Sequence, residues 1–152
     1  LTSIGFGKVE LLTSTAMAMP SIAIMATWKN VGLYMILFLA GLQSVPAHMY
    51  EAADIDGATT LQKFRYITIP AINPVIVMVL ILSTINGFSL FIEPYVMTGG
   101  GPLNSTLSTV LYIYRQGFSF YKMGYAATLG FTLAAIIFTV VIIQRKFIER
   151  MD

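Results

Sequence analysis

Residues 51–74 read EAADIDGATTLQKFRYITIPAINP, a long polar passage between two apolar stretches that are each long enough to cross a bilayer. Good helix formers over 47–55 follow Pro46, a residue suited to a first helical turn because its missing N–H costs nothing there. Gly57 allows a backbone bend that residues with a Cβ resist. A second helix is predicted over 58–69, with Leu61, Phe64 and Thr68 at i, i+3, i+7 on one side and Lys63 facing elsewhere. Pro70 is expected to push Ile69 out of the helical region and to stop that helix. The product is a short helix, a bend and a short helix outside the bilayer. Such an element suits docking, with Leu61 and Phe64 laid into a partner's groove while Glu51, Asp54 and Asp56 meet its basic groups. The competing reading is an interfacial hairpin that merely joins two spans.

Composition agrees with a membrane setting. Over 152 residues the chain is 57% hydrophobic and 11% charged, with a mean hydropathy of +0.78, which predicts an integral membrane segment; with its spans read as helices the expected fold is all-α. A net charge of +2 without clustered basic residues argues against nucleic acid. There is no cysteine, and His48 alone cannot build a metal cluster. The chain starts at Leu1 without a charged leader, so it reads as part of something longer.

Working outward from 51–74, the expected map has spans at 20–45, 75–92 and 123–143. Segment 1–19, which carries Lys8 and Glu10, is external or interfacial; 46–74 is a cytoplasmic loop, 93–122 an external loop and 144–152 a cytoplasmic tail. A first helix starting only after Asn30 would be too short to cross, so it is placed from about Pro20, which puts Trp28, Lys29 and Asn30 at membrane depth. Lys29 has two readings, a snorkelling interface anchor or a pathway cation. In the second span Ser83, Asn86 and Leu90 fall at i, i+3, i+7 with Gly87 beside them, which suits either a bound polar solute or helix packing. Glu93 and Pro94 are expected to end that span at the membrane boundary. The glycine turn 97–102 lacks the Gly-Lys-Ser/Thr ending of a phosphate loop. Aromatic residues from Tyr112 to Tyr121 suit an interface belt, and Gly124, Ala126, Ala127, Gly130, Ala134 and Ala135 offer a small-residue packing face.

Orientation follows from lysine and arginine counts in short loops. Lys63, Arg65, Arg145, Lys146 and Arg150 lie on one side, against Arg115 and Lys122 on the other, so the 46–74 loop and the C-terminus are expected to be cytoplasmic.

The polar passage resembles the EAA loop of the permease subunits of bacterial ATP-binding-cassette (ABC) importers. The matching residues are Glu51, Ala52, Ala53, Asp56, Gly57, Ala58, Phe64, Ile67, Pro70 and Pro74, with Ile69 where the family usually has leucine. Trp28-Lys29-Asn30-Val31-Gly32, Ala40-Gly41-Leu42-Gln43 and the Thr98-Gly99-Gly100-Gly101-Pro102 turn are similar to the carbohydrate-uptake branch, including the larger maltose permease subunit and the glycerol-phosphate and lactose permeases. The resemblance implies the C-terminal half of a type I importer transmembrane domain in the bacterial inner membrane, with about three spans and cytoplasmic coupling helices. It implies an ATP-driven sugar importer permease that is not an enzyme and holds no cofactor, ATP being bound by the partner ATPase. The implied partners are ABC ATPase subunits, a second permease subunit, an extracytoplasmic solute-binding protein and the lipid bilayer. Glu51, Ala52, Ala53, Asp56, Gly57, Ala58, Phe64 and Pro70 would couple to the ATPase. Asn30, Leu33, Ser83, Asn86, Gly87 and Leu90 would line the solute pathway.

Sugar recognition needs amides and hydroxyls with an apolar platform, which Asn30, Ser83 and Asn86 with Phe88 or Tyr34 can supply. Lys29 leaves room for an anionic sugar or polyol phosphate. An ABC importer for peptides or amino acids is the nearest alternative. A secondary transporter should carry mid-membrane carboxylates, and none is expected here. An intramembrane enzyme should pair a nucleophile with a base, and Ser83 and Ser89 have no such partner on their helices.

Overall fold

A computed structural model describes residues 11–148. It is all-α, as the composition predicts, and no strand occurs among the described residues. The elements are α1 (Ala18–Gln43), α2 (Ala47–Ile55), α3 (Thr60–Lys63), a π-helical turn (Phe64–Thr68), α4 (Ile69–Ala71), α5 (Asn73–Phe88), α6 (Ile92–Met97), α7 (Thr109–Tyr114), a second π-helical turn (Arg115–Ser119) and α8 (Met123–Ile148). Three helical stretches are long and apolar enough to cross a membrane: Ala18–Gln43, Asn73–Met97 and Met123–Phe147. At about 1.5 Å per residue α1 and α8 each exceed the roughly 30 Å of a hydrocarbon core, whereas the middle stretch reaches that length only with α6 counted after α5. The expectations for residues 1–10 and 149–152, which include Lys8, Glu10 and Arg150, lie outside the described residues.

Helix α1 starts at Ala18, with Pro20 in its first turn, where a backbone donor has no helical acceptor to lose. Three boundaries differ from the sequence expectation. Helix α5 stops at Phe88, and the chain runs irregularly through Ser89, Leu90 and Phe91 before α6 begins. Glu93 and Pro94 therefore do not terminate the second span; they sit buried inside α6, beyond an interruption. The external-loop region 93–122 is largely folded, because Ser108 caps α7 by accepting the Leu111 N–H at 3.2 Å. At the C-terminal end α8 continues through Ile148, so residues 144–148 are helical.

The described residues fall into two compact units, 11–29 with 85–140 and 30–84 with 141–148. In the first, Phe91, Tyr95, Tyr114 and Phe118 form a chain of ring contacts with centroids 5.2–5.5 Å apart. Each such pair contributes about 0.5–1.5 kcal/mol beyond area burial. The Tyr95 hydroxyl, first as a hydrogen-bond partner and then through charge repulsion, holds the Tyr114 phenol above its ordinary value. The glycine turn folds over itself. Thr106, fully buried, shares a 2.6 Å hydrogen bond with Thr98 and donates to the Gly101 carbonyl at 2.8 Å. Arg115 donates to the Gly99 carbonyl and to Asn104 Oδ1. Gly99 and Gly100 take φ of 58° and 89°, the left-handed region that glycine enters without steric cost. Gly117, in the second π turn, lies against α8, where a Cβ would come 3.3 Å from the Ala126 methyl.

In the second unit the end of α1 meets the start of α5. A Cβ on Gly41 would come within 2.7 Å of Val75 Cγ2, so glycine is what lets these helices close. Thr84 Oγ1 donates to its own helix at Leu80 and also lies 3.1 Å from Gln144 Oε1 of α8. This joins two apolar helices through the kind of polar link that a lipid setting favours.

Candidate coupling segment and pathway residues

Glu51, Ala52 and Ala53 lie on α2, with Pro46 at its N-cap. The helix closes on Gly57 at φ +75°: the Ala58 N–H reaches back to Ala53 and the Gly57 N–H to Asp54, the paired bonds of a glycine C-cap. A Cβ at Gly57 would meet nothing within 4 Å, so the requirement for glycine is conformational rather than one of space. Thr59 then opens α3 with a reciprocal cap: its side chain accepts the Gln62 N–H, and Gln62 Oε1 accepts the Thr59 N–H at 2.7 Å. This cap is missing from the sequence expectations, although its Thr-x-x-Gln spacing is a local signal for it. Lys63 Nζ donates to Asp54 Oδ1 at 2.6 Å and ties the second arm to the first.

The second arm departs from expectation at Pro70. Ile69 keeps helical angles, φ −58° and ψ −50°, and the chain stays helical through Ala71. The π turn over Phe64–Thr68 explains how. In a regular α-helix the Pro70 ring would press on the Tyr66 carbonyl four residues back. Widening the preceding turn, so that the Ile69 N–H bonds to the Phe64 carbonyl, accommodates the ring without ending the helix. The extra residue also breaks the predicted face. Leu61 and Phe64 stay exposed, whereas Thr68 turns inward, buried, with its hydroxyl 2.9 Å from the Tyr50 hydroxyl of α2. The outcome is a braced pair of short helices joined by one ion pair and one hydroxyl bond. Glu51, Asp56, Ile55 (88% exposed), Leu61 (75%) and Phe64 (53%) are exposed on it.

The candidate pathway residues are divided between the units. Asn30 and Leu33 on α1 and Ser83 on α5 belong to the second unit; Asn86, Gly87 and Leu90 belong to the first. Ser83 Oγ donates to the Leu80 carbonyl at 2.9 Å, a bond within its own helix. Gly87 is exposed, and a Cβ there would meet nothing within 4 Å. Leu90 lies past the end of α5, so the i, i+7 face expected to include it stops at Asn86 and Gly87. Lys29 is paired with Glu93, whose carboxylate is buried in α6. A boundary position for Glu93 is thus replaced by a buried one, in a partnership 64 residues apart that no local pattern announces. No group of three or more potential metal ligands occurs among the described residues. A cavity of about 340 Å³ in the first unit is lined by Asn104, Leu107, Tyr112, Arg115, Ser119 and Phe120.

The helices, the capped bend and the interrupted span describe a membrane-capable helical chain, and comparisons with known proteins show its family. The chain belongs to the family of binding-protein-dependent transport system inner membrane components, whose model matches residues 6–152. It is 42% identical over 147 residues to the arabinooligosaccharides transport system permease protein AraP of Bacillus subtilis, covering 96% of this chain and 47% of AraP. It is 36% identical over 152 residues to the sulfoquinovosyl glycerol transport system permease protein SmoG of Agrobacterium fabrum, covering all of this chain and 49% of SmoG. Among solved structures, a crystal structure of a bacterial ABC transporter involved in the import of the acidic polysaccharide alginate matches with a TM-score of 0.81 at 28% identity, covering 99% of this chain and 53% of that one. The chain spans about half the length of the curated relatives it matches.

Proposed function

We propose that this chain is the C-terminal half of the permease subunit of an ATP-driven sugar importer in a bacterial inner membrane. Its EAA segment is the docking element for a cytoplasmic ATPase subunit, which binds the ATP. The observation that carries this reading is the braced helix pair with Glu51, Asp56, Leu61 and Phe64 exposed, set in the chain between two membrane-capable stretches. Coupling needs a rigid element that two states position differently. The Asp54–Lys63 and Tyr50–Thr68 links supply that rigidity, and Ala52, Ala53, Gly57, Ala58 and Pro70 set its shape. A second permease subunit and an extracytoplasmic solute-binding protein complete the machine.

The map of cytoplasmic 46–74, external 93–122 and cytoplasmic C-terminus belongs to this proposal, as does a solute pathway that draws on Asn30, Leu33, Ser83, Asn86, Gly87 and Leu90. The permease does no covalent chemistry; it presents hydroxyls and amides to the sugar and changes access to it. A neutral sugar is favoured over an anionic one, because the Lys29 ammonium is already neutralised by Glu93. The resemblance to AraP supports the carbohydrate class.

The test uses the full-length subunit assembled with its ATPase and partner permease. Gly57→Asp and Glu51→Lys are expected to abolish ATP-dependent sugar uptake while the subunit remains in the membrane at its normal level. Uptake by either variant at the unaltered rate would rule out the docking role. Uptake by the unaltered protein that collapses with a protonophore yet survives ATP depletion would overturn the importer reading itself.

A further inference from the structure

An ionised carboxylate inside a membrane-capable span is costly unless something neutralises it. Glu93 is such a group. It is 8% exposed, lies in the first turn of α6, and its Oε1 accepts from Lys29 Nζ of α1. The Lys29 side chain keeps 57% of its surface against 9% for Glu93, so the lysine reaches in from an open face and the carboxylate is the buried end. Pro94, next in the chain, is fully buried, and both partners of the pair lie in the same compact unit. Helix α6 starts only after three irregular residues, so the helix before it does not fix its direction. Irregular backbone at membrane depth persists only where protein buries it or it lines a wet cavity, and Ser89 at its start is exposed.

We propose that Lys29 and Glu93 are positioning residues for transport. Their ion pair latches α6 to α1 and thereby sets where the interrupted backbone of Ser89, Leu90 and Phe91 stands. This rests on the permease reading. The latch stays closed through the transport cycle, because opening it would strand a carboxylate in a dry environment. Either single neutralisation leaves one charge uncompensated, whereas exchanging the two charges keeps the pair neutral.

The experiment uses a cysteine-free full-length subunit assembled with its partners, carrying Ser89→Cys as a reporter. It compares Lys29→Met, Glu93→Gln and the reversal Lys29→Glu/Glu93→Lys. The uptake probe is a panel of radiolabelled neutral oligosaccharides, read on whichever member the unaltered subunit imports. Each single variant is expected to lose about tenfold or more in uptake at normal membrane level, and the reversal to recover to within about threefold. Single variants that transport normally, or a reversal that reaches the membrane yet stays as impaired as they are, would overturn the latch. If the reversal fails to reach the membrane, Lys29→Cys without the reporter decides. Treatment with 2-aminoethyl methanethiosulfonate rebuilds an ammonium there and is expected to restore uptake, while the methyl reagent is not; equal results from the two reagents would overturn the latch. A panel that the unaltered subunit never imports would count against the permease reading. The latch is then read from the rate at which an impermeant maleimide labels Cys at position 89. That rate should change about fivefold in the single variants and return in the reversal; an unchanged rate in the single variants would remove the latch.

Discussion

At Gly57 the backbone sits at φ +75° with open space where a Cβ would be, so any penalty for substitution comes from the left-handed conformation, about 1–2 kcal/mol for most residues. Asparagine enters that region more readily than branched residues do. Gly57→Asn is therefore expected to keep more ATP-dependent uptake than Gly57→Val, both measured at matched membrane levels; equal losses would mean that the bend is not what glycine supplies. The Asp-Gly pair made this bend legible, because the requirement is local to one residue. The Thr59–Gln62 cap is equally local, a Thr-x-x-Gln spacing between neighbours on one turn. Asn86, near the end of α5 and exposed, is a residue of a different kind. Asn86→Leu is expected to cut sugar uptake while binding-protein stimulation of ATP hydrolysis persists. Loss of assembly instead would make Asn86 a packing residue.

At the scale of elements, the interest lies in how helices are allowed to deviate. Two π turns widen the helical backbone. The first precedes Pro70, and the second carries Gly117 against Ala126. The first of them turned a predicted helix end into a continuation and rotated Thr68 to Tyr50. A proline rule read from sequence treats the preceding helix as regular, so it could not see that widening one turn relieves the ring. Where α1 meets α5 the constraint is steric. Gly41→Val places methyl groups where Val75 already stands, with a cost of about 1–3 kcal/mol or more. It is expected to lower the membrane level or thermal stability of the subunit, and Val75→Ala should partly restore it. If Gly41→Val alone melts at the unaltered temperature, the close approach has no energetic weight.

At the scale of the whole molecule, the proposed map puts residues 46–74 in the cytoplasm, a reading that the excess of lysine and arginine on that side supports. A cysteine introduced as Asp56→Cys in an otherwise cysteine-free full-length subunit should react with an impermeant maleimide only in inside-out vesicles. Labelling in intact cells would invert the topology and remove the ATPase from reach. Exposed apolar side chains such as Ile24, Met35, Phe131 and Phe138 cover the membrane-capable helices. Such faces suit lipid or other apolar helices.

Length and hydropathy by themselves determined that the chain is helical and membrane-embedded, and the spacing of Glu51, Ala53, Asp56, Gly57, Phe64 and Pro70 determined its family, because each of these is a property of consecutive residues. Only the tertiary structure decided that Lys29 meets Glu93, that Tyr50 meets Thr68 and that the second span breaks at Ser89. The pairings join residues 64 and 18 positions apart. Their partners are chosen by which side chains the folded helices bring within reach, and a buried charge or hydroxyl accepts whichever complement it finds there.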